Sequence, residues 1–194
     1  MFEYLNYPSI PLDLKNHILE LAFKNSSHSI ERFKNFYVDG KIESAVDEKY
    51  STVELGLGIP VKEAETLPGI CVMTMFQSDE VTSWVRKNII DSFSAVHIQS
   101  FDQGSLFFPH VDLIRKTAIN YLIESGDADT IFFEPIEEFK NLVPKPSTYI
   151  PHSRIKEIKK IKIDEGKWHQ LDVSKIHNVE NIKSRRLAIT ISFI

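Results

Sequence analysis

"KTAINYLIESGDADTIFFEP" (116–135) decides the fold. Two short runs crowded with β-branched and aromatic residues, "KTAINYLIE" and "DTIFFEP", flank the turn-like "SGDA". That is the signature of strands joined by a tight connection. The same texture continues on both sides. "AVHIQSF" (95–101) and "SLFFPHVDL" (105–113) precede it, separated by "DQG". "IKKIKID" (158–164), "KWHQLDV" (167–173) and "RRLAITISFI" (185–194) follow. A succession of short strands with no helix between them predicts a β-sandwich or jelly roll.

The first 93 residues read differently. "LDLKNHILELAFK" (12–24) sets Leu12, Leu14, Ile18, Leu19 and Leu21 near helical spacing, so an amphipathic helix is expected. "SDEVTSWVRKNIIDSF" (78–93) is a second helix: Ser78 and Asp79 are N-cap candidates, acids occupy the first turn, and Val81, Trp84, Val85 and Ile89 form one face. Residues 36–76 mix Gly, Pro and short apolar runs and read as irregular strands and loops. "EEFKNLVPKPSTYIPHS" (137–153), with three prolines, reads as a long insertion loop of the kind that often carries function. With no repeats or linkers, residues 1–194 form one domain: a helical and irregular N-terminal part, 1–93, and a jelly-roll core, 94–194. The expected class is mainly β with flanking α, the helices packed on one sheet.

Composition bounds the function. The 194 residues are 42% hydrophobic, enough for a full-sized core. A net charge of −4 and a pI near 6.0 give no general attraction to nucleic acid or to an anionic membrane. Cys71 is the only cysteine, so no intrachain disulfide can form, which fits a reducing compartment. The opening stretch has neither a basic n-region nor an apolar h-region, and no apolar run approaches a membrane span. A cytoplasmic, intracellular protein is expected. Oligomeric state is not legible.

Chemistry concentrates in "FFPHVDL" (107–113). Alternate side chains of a strand share a face, so His110 and Asp112 point the same way and supply two ligands of a facial metal triad. Alone, the pair reads more readily as a surface or capped strand end, since such tripeptides arise by chance. His177, far along the chain, can complete the triad if facing sheets bring it there. Three coordination sites would remain for a chelating 2-oxo acid and O2. The distal carboxylate of that acid needs a cation, and arginine suits it best. Arg186 shares strand parity with Ala188, Thr190 and Ser192, whereas Arg185 shares it with Leu187, Ile189, Ile191 and Phe193. Arg186 is therefore expected inside the pocket and Arg185 at its mouth.

His110-Val-Asp112, His177-Asn-Val and Arg186-Leu-Ala-Ile-Thr together resemble the Fe(II)- and 2-oxoglutarate-dependent dioxygenases, within them the prolyl-hydroxylase-like branch. "KTAINYLIES", "DTIFFEP" and "KWHQLDVSKIHNVEN" resemble that branch's successive core strands, so the likeness covers about residues 94–194. It implies a double-stranded β-helix (jelly roll, cupin-like) and metal ligands His110, Asp112 and His177. It also implies that Tyr121 donates its hydroxyl to the carboxylate held by Arg186, and that Thr117 lines the pocket. The cofactors implied are Fe(II), 2-oxoglutarate and O2, with ascorbate as accessory reductant. The implied activity is hydroxylation of an aliphatic C–H, of a prolyl or other side chain in a peptide, with release of succinate and CO2. Hydroxylation of a free amino acid or small metabolite, and a non-catalytic binding module, are the alternatives. The carboxylate at Asp112 favours hydroxylation over halogenation, whose enzymes have a small residue there. Arg115, Trp168 and the 137–153 loop are the candidates for holding substrate. The chain departs from the branch in having "GDADT" for a Gly-Gly-Thr, and Ser100, Phe101 and Phe107 where tyrosines are common.

Other signals are weaker. His169 and Asp172 could pose as a metal pair, but their spacing puts them on opposite faces of a strand. His97 and His152 read as ordinary polar residues. "LGLGIP" (55–60) lacks the third glycine of a nucleotide loop. "RIKEIKKIKID" (154–164) reads as an exposed face with its lysines outward, and, more sharply, as a basic rim. A nucleic-acid demethylase would show a second arginine where Ser192 stands and an Asn-x-Tyr near Ser100–Asp102, and neither is present.

Overall fold

The computed structural model describes residues 2–24, 35–38, 41–44, 73–104, 107–112, 115–136, 148–150, 152 and 155–193. Its elements are β1 (Phe2–Leu5), α1 (Leu12–Lys24), β2 (Asn35–Val38), β3 (Lys41–Ser44), β4 (Met73–Phe76), α2 (Asp79–Asn88), β5 (Ala95–Phe101) and β6 (Phe107–His110). There follow β7 (Thr117–Ser125), β8 (Asp129–Pro135), β9 (Thr148–Tyr149), β10 (Ile155–Lys162), β11 (Trp168–Asp172), β12 (Ile176–Glu180) and β13 (Arg186–Ser192). Most of the expected insertion loop, 137–147, lies outside the described residues.

Alternation along each strand sorts the side chains into layers. A six-stranded sheet runs β1-β11-β7-β13-β5-β4 and a four-stranded sheet runs β10-β8-β12-β6. On one face of the large sheet Ile119, Tyr121, Trp168, Leu187, Ile189, Ile191, Val96 and Ile98 pack with Leu14, Ile18, Val81 and Val85 of the two helices. On its other face Ala118, Leu122, Leu171 and Ala188 meet Phe132 of the small sheet. The outer face of the small sheet is closed by Ile131, Phe133 and Ile176 against Val111, Ile150 and Ile155. Two facing antiparallel sheets, with strands that alternate between them along the chain, make a double-stranded β-helix. The expected jelly roll with helices on one sheet is what forms.

The helices follow their sequence signals. Helix α1 occupies residues 12–24 as the spacing predicts, burying Leu14, Ile18 and Ala22. Helix α2 starts where Ser78 caps it, its Oγ accepting from the Val81 N–H. It stops at Asn88, earlier than expected: Asn88 bonds back to the Trp84 carbonyl, and Ile89 and Ile90 both donate to Val85. Two strands of the large sheet come from the N-terminal part. Strand β1 pairs with β11, Phe2 opposite Leu171, and β4 pairs with β5.

The turn between β7 and β8 sets the position of β13. Gly126 and Asp127 both have positive φ, 62° and 53°. The Gly126 carbonyl accepts from the Lys183 N–H at 2.8 Å, just before Arg186. A Cβ at Gly126 would lie 2.7 Å from the Ser184 carbonyl oxygen and 3.2 Å from the Arg186 Cβ, so only glycine fits there. Asp127 pairs with both Lys162 and Lys183, tying this turn to β10 and to the approach to β13.

Candidate metal centre

His110 and His177 stand directly opposite one another across the β6–β12 pair, where side chains of facing residues lie closest. Their rings are 4.4 Å apart between centroids. Asp112 follows β6 on the same side. Its backbone N–H donates to the Val173 carbonyl at 3.0 Å, and its Oδ1 lies 3.5 Å from His110 Nε2. One ligand atom from each of His110, Asp112 and His177 falls within 4.8 Å of the others, and both histidines are buried. Two imidazoles and a carboxylate at that spacing could hold one divalent ion.

The electrostatics suit a cation. Burial works to raise the Asp112 carboxyl, but the His110 hydrogen bond and the neighbouring His110, Arg115 and His177 outweigh it and hold it down at about 2. Burial first, then His110, pushes His177 down to about 4, so its ring is neutral at pH 7. His177 Nδ1 lies 2.9 Å from the Lys175 carbonyl, which fixes the proton on that nitrogen and leaves the Nε2 lone pair for a ligand.

Arg115 is bound to this centre rather than free for substrate. Its Nη2 donates to Asp112 Oδ2 at 2.5 Å and its Nη1 to Ser192 Oγ at 3.0 Å. The second carboxylate oxygen is thereby anchored to the last strand, with Oδ1 left on the His110 side. Sequence order gave Arg115 a substrate role because it follows the motif. The contact with Ser192 is set by tertiary packing and had no local signal.

The two arginines occupy different surroundings. Arg185 is half-buried at the sheet end, its guanidinium donating to both Glu124 carboxylate oxygens at 2.6 and 2.9 Å. Arg186, on the face shared with Ala188, is 6% exposed, and its Nη1 has no hydrogen-bond partner among the described residues. Burial pulls it down only to about 10, so it stays charged at neutral pH. A buried, charged, unpaired guanidinium is costly, and an anion is what would relieve it.

Three expected site residues lie elsewhere. Tyr121 faces Ile189 across β13 and Trp168 across β11, and packs in the core under the helices with its ring 5.0 Å from that of Trp168. Thr117, four residues earlier on the same strand, pairs with Asp172. Neither reaches the interior lane, which Ala118, Asn120 and Leu122 occupy on this strand. Trp168 is 1% exposed, donates its indole N–H to the Pro8 carbonyl at 2.9 Å and stacks 6.4 Å from Trp84, so it is core and not a substrate contact.

The residues set aside divide. His152 lies 3.2 Å from Glu180, and His97 pairs with Gln77 at 3.1 Å. Asp172 is taken up by Ser174. Strand β10 is an edge with Lys156, Lys159, Lys160 and Lys162 outward. Lys156, Lys160 and Lys162 lie near Glu134, Glu157 and Asp127, a pattern that guards a sheet edge. His169, by contrast, is 1% exposed and faces the interior.

No protein-family model and no curated protein matches the chain. Solved structures do. The ycfD protein of Escherichia coli superposes with a TM-score of 0.50 at 12% identity, over 100% of this chain and 49% of its own. The chain thus spans about half the length of that relative. A second structure of the same protein, described as a ribosomal oxygenase, gives 0.44 at 11% identity over 100% of this chain and 48% of its own. A cupin-like protein of Thermotoga maritima gives 0.31 at 13% identity, over 64% and 69% of the two chains. The match to ycfD agrees with the jelly-roll fold read from the sheets.

Proposed function

We propose that the protein is an Fe(II)- and 2-oxoglutarate-dependent oxygenase that hydroxylates an aliphatic C–H bond in the side chain of a peptide residue, proline being the first candidate. The observation that carries this reading is the convergence of His110, Asp112 and His177 within 4.8 Å, on a fold that also buries Arg186, whose Nη1 has no partner among the described residues. Iron, when bound, would supply the O2 activation that couples oxidative decarboxylation of 2-oxoglutarate to hydroxylation. His110, Asp112 and His177 would hold it. His177 keeps its proton on Nδ1 against the Lys175 carbonyl, and Arg115 restrains the Asp112 carboxylate so that Oδ1 is presented.

Arg186 would take the distal carboxylate of 2-oxoglutarate. Along β8, Phe132 is level with His177, and Thr130 lies two residues nearer the end where β13 begins. That offset is about 7 Å of strand, a length suited to a glutarate skeleton laid between the metal ligands and the acid-binding end. The peptide substrate accords with the neighbour's description as a ribosomal oxygenase. Incubation with Fe(II), 2-oxoglutarate, O2 and ascorbate tests the reading. Succinate formation, and a gain of one oxygen atom on a member of a peptide library, are expected. A purified protein that takes up iron and forms no succinate would overturn it.

A further inference from the structure

The two sheets differ in width, and the difference leaves part of the interior wall open. Phe132 of the four-stranded sheet packs against Ala118 and Leu122 of β7, Leu171 of β11 and Ala188 of β13. Among the described residues no side chain of β5 or β4 joins that cluster, and these two strands extend the six-stranded sheet beyond β13. Along β5, Val96 and Ile98 are buried beneath the helices, whereas His97 and Gln99, on the opposite face, are only half-buried. Directly opposite residues of neighbouring strands point to the same side. His97 stands opposite Thr190 and Gln99 opposite Ala188, so both face the interior. Met75 stands opposite Gln99 and is 48% exposed, and Gln77, two residues on, is exposed as well.

This wall adjoins the metal centre. Arg115, bound to Asp112, also donates to Ser192 at 3.0 Å, and Ser192 lies in the lane of Thr190, one strand from His97. The charge of Arg115 is felt at His97: burial first, then Arg115, push the imidazole below its ordinary value. The Gln77 amide donates to His97 Nε2 at 3.1 Å, as a neutral ring allows. Thr190 Oγ1 donates to Gln99 Oε1 at 3.2 Å, and the Gln99 amide nitrogen donates to a thioether, Met75 Sδ, at 3.9 Å. Sulfur is a weak acceptor, so this N–H is readily given up to a carbonyl.

We infer that Gln77, His97 and Gln99 form the substrate wall of the metal centre and bind an uncharged stretch of peptide through its amide groups. This rests on the oxygenase reading above and names the kind of peptide it takes. Carboxamides supply both a donor and an acceptor, the pair that a peptide group needs. The three residues carry no charge to balance an ionised side chain, and Arg115 is already engaged by the Asp112 carboxylate. A lysine or glutamate laid against them would lose water without gaining a counter-ion.

The test uses the full chain loaded with Mn(II) and 2-oxoglutarate, which does not turn over, and fluorescent prolyl peptides whose flanking residues are alanine and glutamine, lysine, or glutamate. Wild type should bind the uncharged set about tenfold more tightly than either charged set. Gln99→Glu keeps the shape of the side chain and its acceptor for Thr190, and should move the preference to the lysine set. Gln77→Glu should move it the same way, a gain that a damaged fold cannot imitate. Wild-type protein that binds none of the peptides, binds all three sets alike or prefers a charged set would overturn the inference, as would an unmoved preference in either variant. Each of these leaves the oxygenase reading standing. Wild-type protein that takes up iron and forms no succinate would overturn that reading and the inference with it.

Discussion

At the scale of single residues, parity along a strand carried more than motif resemblance. The alternation of Leu187, Ile189 and Ile191 against Ala188, Thr190 and Ser192 separates Arg186 from Arg185 without any structure, since one set is bulky and apolar and the other small or polar. The resemblance assigned Tyr121 and Thr117 to the pocket, but register sends them to the helix-covered face, because Tyr121 pairs with Ile189. Two predictions separate these assignments. Arg186→Ala should weaken 2-oxoglutarate roughly tenfold to a hundredfold, the worth of one charge-assisted hydrogen bond. Tyr121→Phe should leave that affinity unchanged, and isothermal titration of the Mn(II) protein reads both. Arg115→Ala should cost divalent-metal affinity ~10–100-fold, since groups that orient ligands are worth that much. An Arg115→Ala protein that binds Mn(II) as tightly as wild type would remove Arg115 from the centre.

At the scale of elements, local signals were legible and long-range ones were not. Helix α1 and the cap at Ser78 are written in spacing and side-chain chemistry. Strand β12 was missed as a strand although it carries His177, because "IHNVE" has too few apolar residues to announce itself and owes its form to pairing with β6 and β8. Strand β1 was missed for the same reason: four residues whose pairing partner, β11, lies at the other end of the chain. The β7–β8 turn gives a prediction at this scale. Gly126→Ala adds a Cβ where φ is positive and the Ser184 carbonyl is 2.7 Å away. The backbone conformation alone should cost about 1–2 kcal/mol. Chemical denaturation should show that loss, and 2-oxoglutarate affinity should fall with it, because Arg186 hangs from the same corner.

At the scale of the whole molecule, the jelly roll follows from repeated short strands without helices between them, and this was legible before any coordinates. What composition could not show is how the interior handles its ionisable groups. His169 and His177 are both held at about 4 against an ordinary 6.5. The unfolded chain therefore binds protons first, between pH 6.5 and 4, so the metal-free protein should lose stability as pH falls through that window. By about pH 4 each histidine should cost the folded state on the order of 3 kcal/mol relative to neutral pH. The Asp112 carboxyl, held at about 2 against 3.8, adds a further loss only below about pH 4. Denaturation midpoints measured from pH 7 to 5 should decline, and His169→Phe should flatten that decline.

The convergence of three distant side chains on one ion is most directly tested by titrating metal-free protein with Mn(II) and following the free ion by electron paramagnetic resonance. Wild-type protein should take up a single ion per chain at a site that is lost in His177→Ala while the fold, read by circular dichroism, is kept. Absence of saturable binding in the wild type, or undiminished binding in His177→Ala, would contradict the metal centre and the enzymatic reading built on it.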